Sequence, residues 1–168
     1  MIDRRNQVWC ADITYIPMRR GFLYLVAIMD WYSRNVLARR LTNSMDAEFC
    51  VEALKDALAQ HGTPDIFNTN QGSQFTSGDW IDVLTDAKIK ISMDAKVRWI
   101  DNRMIERLWR SLKYECVYLH AFEKGSEVKV GVRKWLAYYN AERPHSTHGV
   151  LPPDEAYANK TEPVRLAA

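Results

Sequence analysis

The residues with the strongest chemical character are two carboxylates, Asp12 and Glu106. Asp12 interrupts a stretch of alternating apolar residues, and burying a carboxylate is costly unless it is paired or binds a metal. Glu106 shares one face of a predicted helix with Arg110 and Lys113, because residues three, four and seven apart recur on the same side of a helix. This face is either an ordinary surface of salt bridges or a metal ligand beside a row of phosphate-binding cations.

The element that must position Glu106 is an amphipathic helix, predicted over Asp101–Val117. Its apolar residues recur at three- and four-residue steps and form one stripe: Ile105, Leu108, Trp109, Leu112 and Cys116. Trp109 belongs to this stripe and is expected to lie in the core. Asp101 is the expected N-cap, and Asp94–Ile100 is expected to be a basic loop that leads into the helix.

Five strands are predicted before this helix from short runs rich in β-branched and aromatic residues. They are Val8–Met18, Phe22–Asp30, Asn35–Leu41, Asp65–Thr69 and Lys88–Met93. The short links between the first three predict an antiparallel meander. A helix capped by Ser44 and ending at His61 is expected after the third strand. A second helix, opened by a Thr76–Asp79 capping box, is expected to end near Ala87.

The order of elements predicts an α/β fold, with a five-stranded mixed sheet flanked by helices. After the central helix, Glu127–Asn140 is predicted to form another amphipathic helix. At 168 residues the chain is predicted to be a single domain, with an irregular and partly frayed tail over about 150–168. No glycine-rich phosphate loop follows the first strand, which disfavours an unrelated nucleotide-binding domain.

Composition and charge indicate the cellular setting of the protein more than they indicate the reaction it catalyses. The net charge is only +2, but positive charge is concentrated in the central helix and in the segment before it. The three cysteines are odd in number and have no zinc-ligand spacing, which favours reduced thiols and a cytoplasmic setting. No apolar run of membrane-spanning length and no signal peptide is present, so neither a membrane nor secretion is indicated.

Five stretches in series resemble the catalytic core of DDE transposases and retroviral-type integrases, in particular bacterial insertion-sequence transposases related to insertion sequence three. They are WCADITYIP, FLYLVAIMDWYSRNVLARRL, IFNTNQGSQFTS, ISMDAKVRWIDNRMIERLWRSLKYE and YYNAERPHSTHGVLPPDEAY. Together they span residues 9–157, nearly the whole length of the chain, in the family's order. The resemblance implies a ribonuclease-H-like fold and metal-dependent cleavage and transfer of DNA strands, as in DNA integration and transposition.

The resemblance also implies a set of site residues. The first acidic ligand falls on Asp12, the glutamate on Glu106 and the basic residue seven positions later on Lys113. The second ligand, an aspartate in the family, falls on Asn70, with thirty-five residues between it and Glu106. An amide cannot neutralise a divalent ion as a carboxylate does, so metal binding and activity are expected to be weakened. In the loop expected after the fifth strand, this chain has Ala95 and Val97 where relatives tend to have glycines. This difference is expected to stiffen the loop.

Cofactors and partners follow from the same resemblance. A two-ion site for Mg²⁺ or Mn²⁺ is implied at Asp12, Glu106 and, more weakly, Asn70. The implied partners are DNA, as transposon ends and target, and further copies of the chain on that DNA, at the bacterial nucleoid. The basic residues expected to contact DNA are Lys96, Arg98, Arg103, Arg107, Arg110 and Lys113. The alternative is a catalytically inactive remnant that binds DNA or partner subunits. Asp65 and Asp94 are expected to be exposed charges rather than substitute ligands.

Overall fold

The computed structural model describes residues 2–69, 72–92, 95–145 and 151–158, with the backbone alone for residues 95–102. Its strands are β1 Val8–Pro17, β2 Phe22–Asp30, β3 Val36–Thr42, β4 Ile66–Asn68 and β5 Lys90–Ser92. Its helices are α1 Glu48–His61, α2 Gly78–Asp86, α3 Ala95–Leu112, α4 Tyr118–His120, α5 Gly125–Ala141 and α6 Pro153–Ala158. A π-helical turn, Lys113–Val117, joins α3 to α4.

The strands form one five-stranded sheet in the order β3-β2-β1-β4-β5. Neighbours among the first three strands are antiparallel, whereas β4 runs parallel to β1 and β5 runs parallel to β4. The predicted mixed sheet, with its antiparallel meander first, is confirmed. The nearly continuous apolar run of β2 is explained by its place between β3 and β1, where helices cover both of its faces.

Apolar side chains pack into two clusters, one on each face of the sheet. Trp9 and Ala11 of β1 belong to the cluster with α1 and α2, whereas Cys10 belongs to the cluster with α3 and α5. Successive side chains of a strand point to opposite faces, so Asp12 lies on the same face as Cys10. The alternation of β1 therefore turns Asp12 towards α3.

Helix α3 begins at Ala95, so the predicted basic loop over Asp94–Ile100 and the N-cap at Asp101 are wrong. Residues 95–120 contain neither glycine nor proline, and alanine, lysine and arginine favour the helix. The helical path continues through the π-helical turn and ends after His120, where Ala121 adopts a left-handed conformation with φ 44°. Glu106 and Lys113 thus stand on one long helical segment.

Two further helix starts differ from the predictions by a few residues. The N-cap of α1 is Ala47, which makes no side-chain cap, and Ser44 lies before it with its hydroxyl 3.3 Å from Asp46 Oδ2. In α2 the cap is Ser77, whose Oγ accepts a hydrogen bond from the Trp80 amide at 3.4 Å. Thr76 instead donates back to the carbonyl of Gly72. Local hydrogen bonds within the preceding turns compete for these hydroxyls.

The C-terminal segment is tied to the β2–β3 connection by polar contacts. The Asn140 side chain both accepts from the Val36 amide and donates to the Val36 carbonyl, each at 2.9 Å. Asn35 donates to Asp154 of α6 at 2.5 Å. Part of the tail that was predicted to be irregular is therefore a short helix, α6. Residues 159–168 lie outside the described part of the chain.

Two findings bear on the setting of the protein. Within the described ranges, no helix combines the length and apolar character needed to cross a bilayer. All three cysteines are free and buried, and burial raises the pKa of the Cys50 thiol to about 12. A buried, protonated thiol is a poor nucleophile, so this cysteine serves packing.

Candidate active site

A hydrogen bond joins β1 to α3 at the predicted site. The Trp109 indole Nε1 donates to Asp12 Oδ2 at 3.1 Å. Trp109 is only 6% exposed, so its prediction as a core residue is confirmed, and Asp12 is half-buried. A buried indole normally directs its N–H to a partner, and here that partner is the carboxylate expected to be a metal ligand. The contact fixes one oxygen of Asp12 against α3.

Glu106 lies one turn before Trp109 on α3, since residues three apart are neighbours along a helix surface. It therefore stands at the same edge of α3 as the tryptophan that contacts Asp12. Glu106 is exposed, and among the residues that the structure describes no cation forms an ion pair with it. The interpretation of this face as ordinary salt bridges is thereby disfavoured.

Lys113 stands two turns after Glu106 and reaches β1. Its ammonium lies over the ring of Tyr15, 5.2 Å from the ring centroid. Tyr15 is 60% exposed and follows Asp12 on β1 by three residues. Because β4 pairs with β1 only over Val8–Cys10, this part of β1 extends beyond the pairing with β4. The ammonium of Lys113 therefore lies at the edge of β1 that β4 leaves unpaired, three residues beyond Asp12 along the strand.

The end of β4 adds buried polar atoms next to β1. Asn68 pairs with Cys10 in the parallel register and is 3% exposed, and Thr69 is 2% exposed. Within the described ranges, neither Asn68 Nδ2 nor Thr69 Oγ1 has a hydrogen-bond partner, which is unusual for buried polar atoms. Asn70 is the next residue in the sequence and lies outside the described part of the chain.

The basic residues of α3 predicted to contact DNA are exposed wherever their side chains are described. Arg103, Arg107 and Arg110 are exposed on α3, whereas the side chains of Lys96 and Arg98 fall outside the described residues. Asp65 is exposed and forms an ion pair with Arg4 at 2.5 Å, as expected for a surface charge. Asp94 is outside the described ranges. No group of three metal-ligating His, Cys, Asp or Glu side chains occurs among the described residues.

Sequence reasoning did not anticipate a cleft lined by arginines on another side of α3. It brings Arg34 of the β2–β3 turn and Arg143, after α5, together with Arg107 and Arg110 of α3. Arg34 lies in a turn with no distinguishing pattern. Arg143 belongs to the motif YYNAERPHSTHG, which pointed to the family but to no partner.

Solved structures with the same fold include retroviral integrase cores. The HTLV-2 integrase catalytic core domain in complex with magnesium superimposes with a TM-score of 0.68 and 19% identity, covering 93% of this chain and 98% of that one. A chain of the simian T-cell lymphotropic virus intasome gives a TM-score of 0.78 at 18% identity, covering 98% of this chain and 57% of that one. The expected ribonuclease-H-like fold is confirmed.

Curated relatives of this chain include bacterial transposases. The transposase InsF for insertion sequence IS3A of Escherichia coli K12 is 34% identical over 158 residues, which cover 92% of this chain and 54% of the relative. The transposase for insertion sequence element IS904 of Lactococcus lactis IL1403 is 33% identical over 144 residues, covering 84% of this chain and 57% of the relative. The chain thus spans about half the length of these relatives.

Two family models match, and their matched ranges overlap and together cover most of the chain. Both are described as an integrase core domain, one over residues 3–98 and the other over residues 87–153. The first contains Asp12 and Asn70, and the second contains Glu106 and Lys113. With this match, the bacterial relatives and the fold in agreement, the chain belongs to the integrase core domain family.

Proposed function

We propose that this chain is the catalytic core of a DNA transposase that cleaves and transfers DNA strands, and that Asn70 weakens its activity. The observation that carries the proposal is the hydrogen bond from Trp109 to Asp12. This bond holds the carboxylate of the first strand against the helix that bears Glu106 and Lys113. In this proposal the two acids and the cation would act together along the border of β1 and α3, where a DNA phosphate and its counter-charges would meet.

The donor set suits a hard divalent cation. Asp12 and Glu106 offer carboxylate oxygens, which Mg²⁺ and Mn²⁺ prefer, and Asn70 offers one carbonyl oxygen. Within the described part of the chain, the buried Asn68 Nδ2 and Thr69 Oγ1 have no hydrogen-bond partner, and they mark the polar end of β4 that precedes Asn70. When bound, two such ions activate the attacking oxygen and stabilise the leaving oxygen in an in-line displacement at phosphorus.

The chain's own residues would orient the reactants. Trp109 donates its indole N–H to Asp12, and hydrogen bonds of this kind, beyond the ligands themselves, orient a ligating carboxylate. Lys113 supplies a positive charge beside β1 for a phosphate. The exposed Arg103 and Arg110 extend that positive charge along the outer surface of α3. In the cell this chemistry would take place on DNA at the bacterial nucleoid, with several copies of the chain assembled there.

The neutral Asn70 also supports a second candidate, an inactive remnant that binds DNA or transposase subunits. With one carboxylate missing, two dications at the site would keep more unmatched positive charge, and affinity for them would fall. The two candidates differ in whether a divalent ion binds at Asp12 and Glu106. They agree on DNA binding, so DNA affinity alone does not separate them.

Calorimetric titration with Mg²⁺ and with Mn²⁺, in the presence of DNA, tests the proposal. We expect saturable Mn²⁺ binding to the unmodified chain that is lost in Asp12→Asn, because that change removes a charged ligand. Asp65→Asn is the matched control, since Asp65 pairs with Arg4 on the surface and should leave metal binding unchanged. DNA binding without any divalent-ion binding would favour the inactive remnant.

Replacing Trp109 by phenylalanine is expected to weaken the metal site while keeping the core packed. The change removes the donor to Asp12 and lowers Mn²⁺ affinity by about 10-fold, the lower end of the effect of an outer hydrogen bond. Trp135→Phe is a close control, because Trp135 is similarly buried and donates its Nε1 to Glu115 at 3.1 Å.

Both substitutions should cost about 1 kcal/mol of unfolding free energy through the lost hydrogen bond, as measured by denaturant titration. Only Trp109→Phe should alter Mn²⁺ binding. Equal losses of Mn²⁺ affinity in the two variants would mean that Trp109 acts through general stability and not through Asp12.

A further inference from the structure

A cleft of about 340 Å³ opens between α3, the end of α5 and the β2–β3 turn. This volume lies at the lower end of the range for small-ligand pockets, roughly 300–1,000 Å³. The polar and charged side chains that matter here are Arg34, Arg107, Arg110, Ser111, Tyr139 and Arg143. The cleft joins residues from three separate parts of the chain, and four of them are arginines.

The cleft and the Asp12 site lie at opposite edges of α3. Each residue turns a helix by about 100°, so Arg107 and Ser111 lie roughly 100° and 140° round the axis from Glu106. Trp109, which contacts Asp12, lies roughly 60° from Glu106 in the other direction. Arg110 stands on the exposed ridge between the two edges and lines the cleft. A group bound in the cleft is therefore separated from Asp12 by the body of α3.

Arg34 is held in place from beneath the cleft. Its backbone is left-handed, with φ 64°, and its Nη1 donates to the Trp31 carbonyl at 2.6 Å. The same guanidinium contacts the sulfur of Met104. Burial is the main cause that lowers the pKa of Arg34; Arg107 acts in the same direction, whereas Cys10, Tyr139 and Asp30 act against it. A guanidinium under these conditions gains from an anion that enters the cleft.

The described residues neutralise only part of the positive charge of the cleft. Arg143 is paired with Glu115 at 2.9 Å, and the hydrogen bond to Glu115 raises the pKa of Arg143. Its Nη2 also lies 3.4 Å from Ser111 Oγ, which keeps the guanidinium at the cleft wall. Among the described residues, neither Arg107 nor Arg110 forms an ion pair. The cleft keeps an excess of positive charge.

We propose that this arginine cleft binds a backbone phosphate of DNA at a second site, distinct from the edge that carries Asp12 and Glu106. Guanidinium forks match phosphate oxygens in pairs, and partial desolvation strengthens such contacts. The inference rests on the proposed function, because strand transfer joins two DNA segments and a core that performs it must hold both. Of the two DNA segments, the cleft would hold the one that does not lie at the edge of α3 near Asp12 and Glu106.

The test is the salt dependence of binding to a fluorescein-labelled 20-base-pair duplex, followed by anisotropy. The slope of log affinity against log salt falls by about 0.9 for each phosphate contact that is lost. We expect a loss of about one contact for Arg107→Gln, one for Lys113→Gln and two for the double variant. Lys55→Gln, which removes an exposed charge from α1 on the opposite face of the sheet, should leave the slope unchanged.

Two further measurements keep the result interpretable. Arg107→Lys should restore the salt slope but only part of the affinity, because lysine keeps the charge and loses the fork. In the unmodified chain, the Nε–Hε resonances of Arg34 and Arg143 should shift in NMR spectra when the duplex is added. Resonances that stay in place, with the rest of the spectrum perturbed, would overturn the cleft as a DNA site.

The outcomes also separate this inference from the proposed function. If Arg107→Gln behaves like Lys55→Gln while Lys113→Gln weakens binding, the cleft is not a phosphate site and the proposed DNA chemistry stands. If the unmodified chain does not bind the duplex at low salt, the proposed function itself fails. Stronger competition by polyglutamate than by unlabelled DNA of equal charge would assign the cleft to an acidic protein and contradict the proposal.

Discussion

Asn70→Asp is expected to raise the rate of metal-dependent nicking by this chain by at least about 100-fold. Changing groups that merely orient a metal ligand alters metal affinity or activity by about 10–100-fold, and a direct ligand should matter at least as much. The substitution replaces a neutral amide by a carboxylate of nearly the same shape. It adds the negative charge that two dications need beside Asp12 and Glu106.

Relaxation of supercoiled plasmid DNA, with Mg²⁺ and then with Mn²⁺, measures this gain without knowledge of the natural DNA ends. Asn43→Asp is the control, because it adds the same charge at an exposed position in the β3–α1 connection. Equal nicking by Asn70→Asp and the unmodified chain, at saturating metal and with unchanged folding, would show that Asn70 is not the limiting defect.

The same substitution should change the response of thermal stability to metal. Without a divalent ion, a third carboxylate near two others adds repulsion and should lower the melting temperature. A ligand that binds only the folded state stabilises it in proportion to its affinity, so Mg²⁺ should raise the melting temperature more in Asn70→Asp than in the unmodified chain. This readout responds to metal binding even where nicking is slow.

Much of the fold and of the candidate site was predictable from the sequence, because it depends on the local periodicity of apolar residues. The β-branched and aromatic alternation of β1, and the apolar run of β2, led to the correct strands and to the antiparallel meander. The three- and four-residue spacing in α3 placed Trp109 in the core and Glu106 with Lys113 on another side. Such patterns report which face of an element is buried, whatever lies against it.

Other features depend on contacts that no local pattern encodes. Trp109 is both a core residue and the donor to Asp12, ninety-seven positions away, and the apolar stripe explains only the first role. Arg34 and Arg143 meet in one cleft because the β2–β3 turn and the end of α5 pack against α3. The start of α3 was misplaced because Asp101 resembles an N-cap, whereas helix propensity carries the helix back to Ala95.

Glu106→Gln, made in the Asn70→Asp background, is expected to reduce nicking to the level without protein. Together with Asp12 of β1, Glu106 of α3 would hold a divalent ion. The substitution removes the Glu106 carboxylate and leaves an amide of the same size. Glu106 is exposed and forms no ion pair among the described residues, so its removal should change unfolding free energy by less than about 0.5 kcal/mol. The loss of activity would then reflect chemistry and not folding.

The affinity of Glu106→Gln for duplex DNA should not fall along with its nicking activity. Removing a negative charge beside Lys113 reduces repulsion of phosphates, so DNA affinity in Glu106→Gln should be unchanged or slightly higher at low salt. Glu48→Gln, an exposed position of α1 on the opposite face of the sheet, removes the same charge and should affect neither nicking nor affinity. Retained nicking in Glu106→Gln would show that Glu106 is an ordinary surface residue and not a metal ligand, because the loss of a ligand should reduce activity.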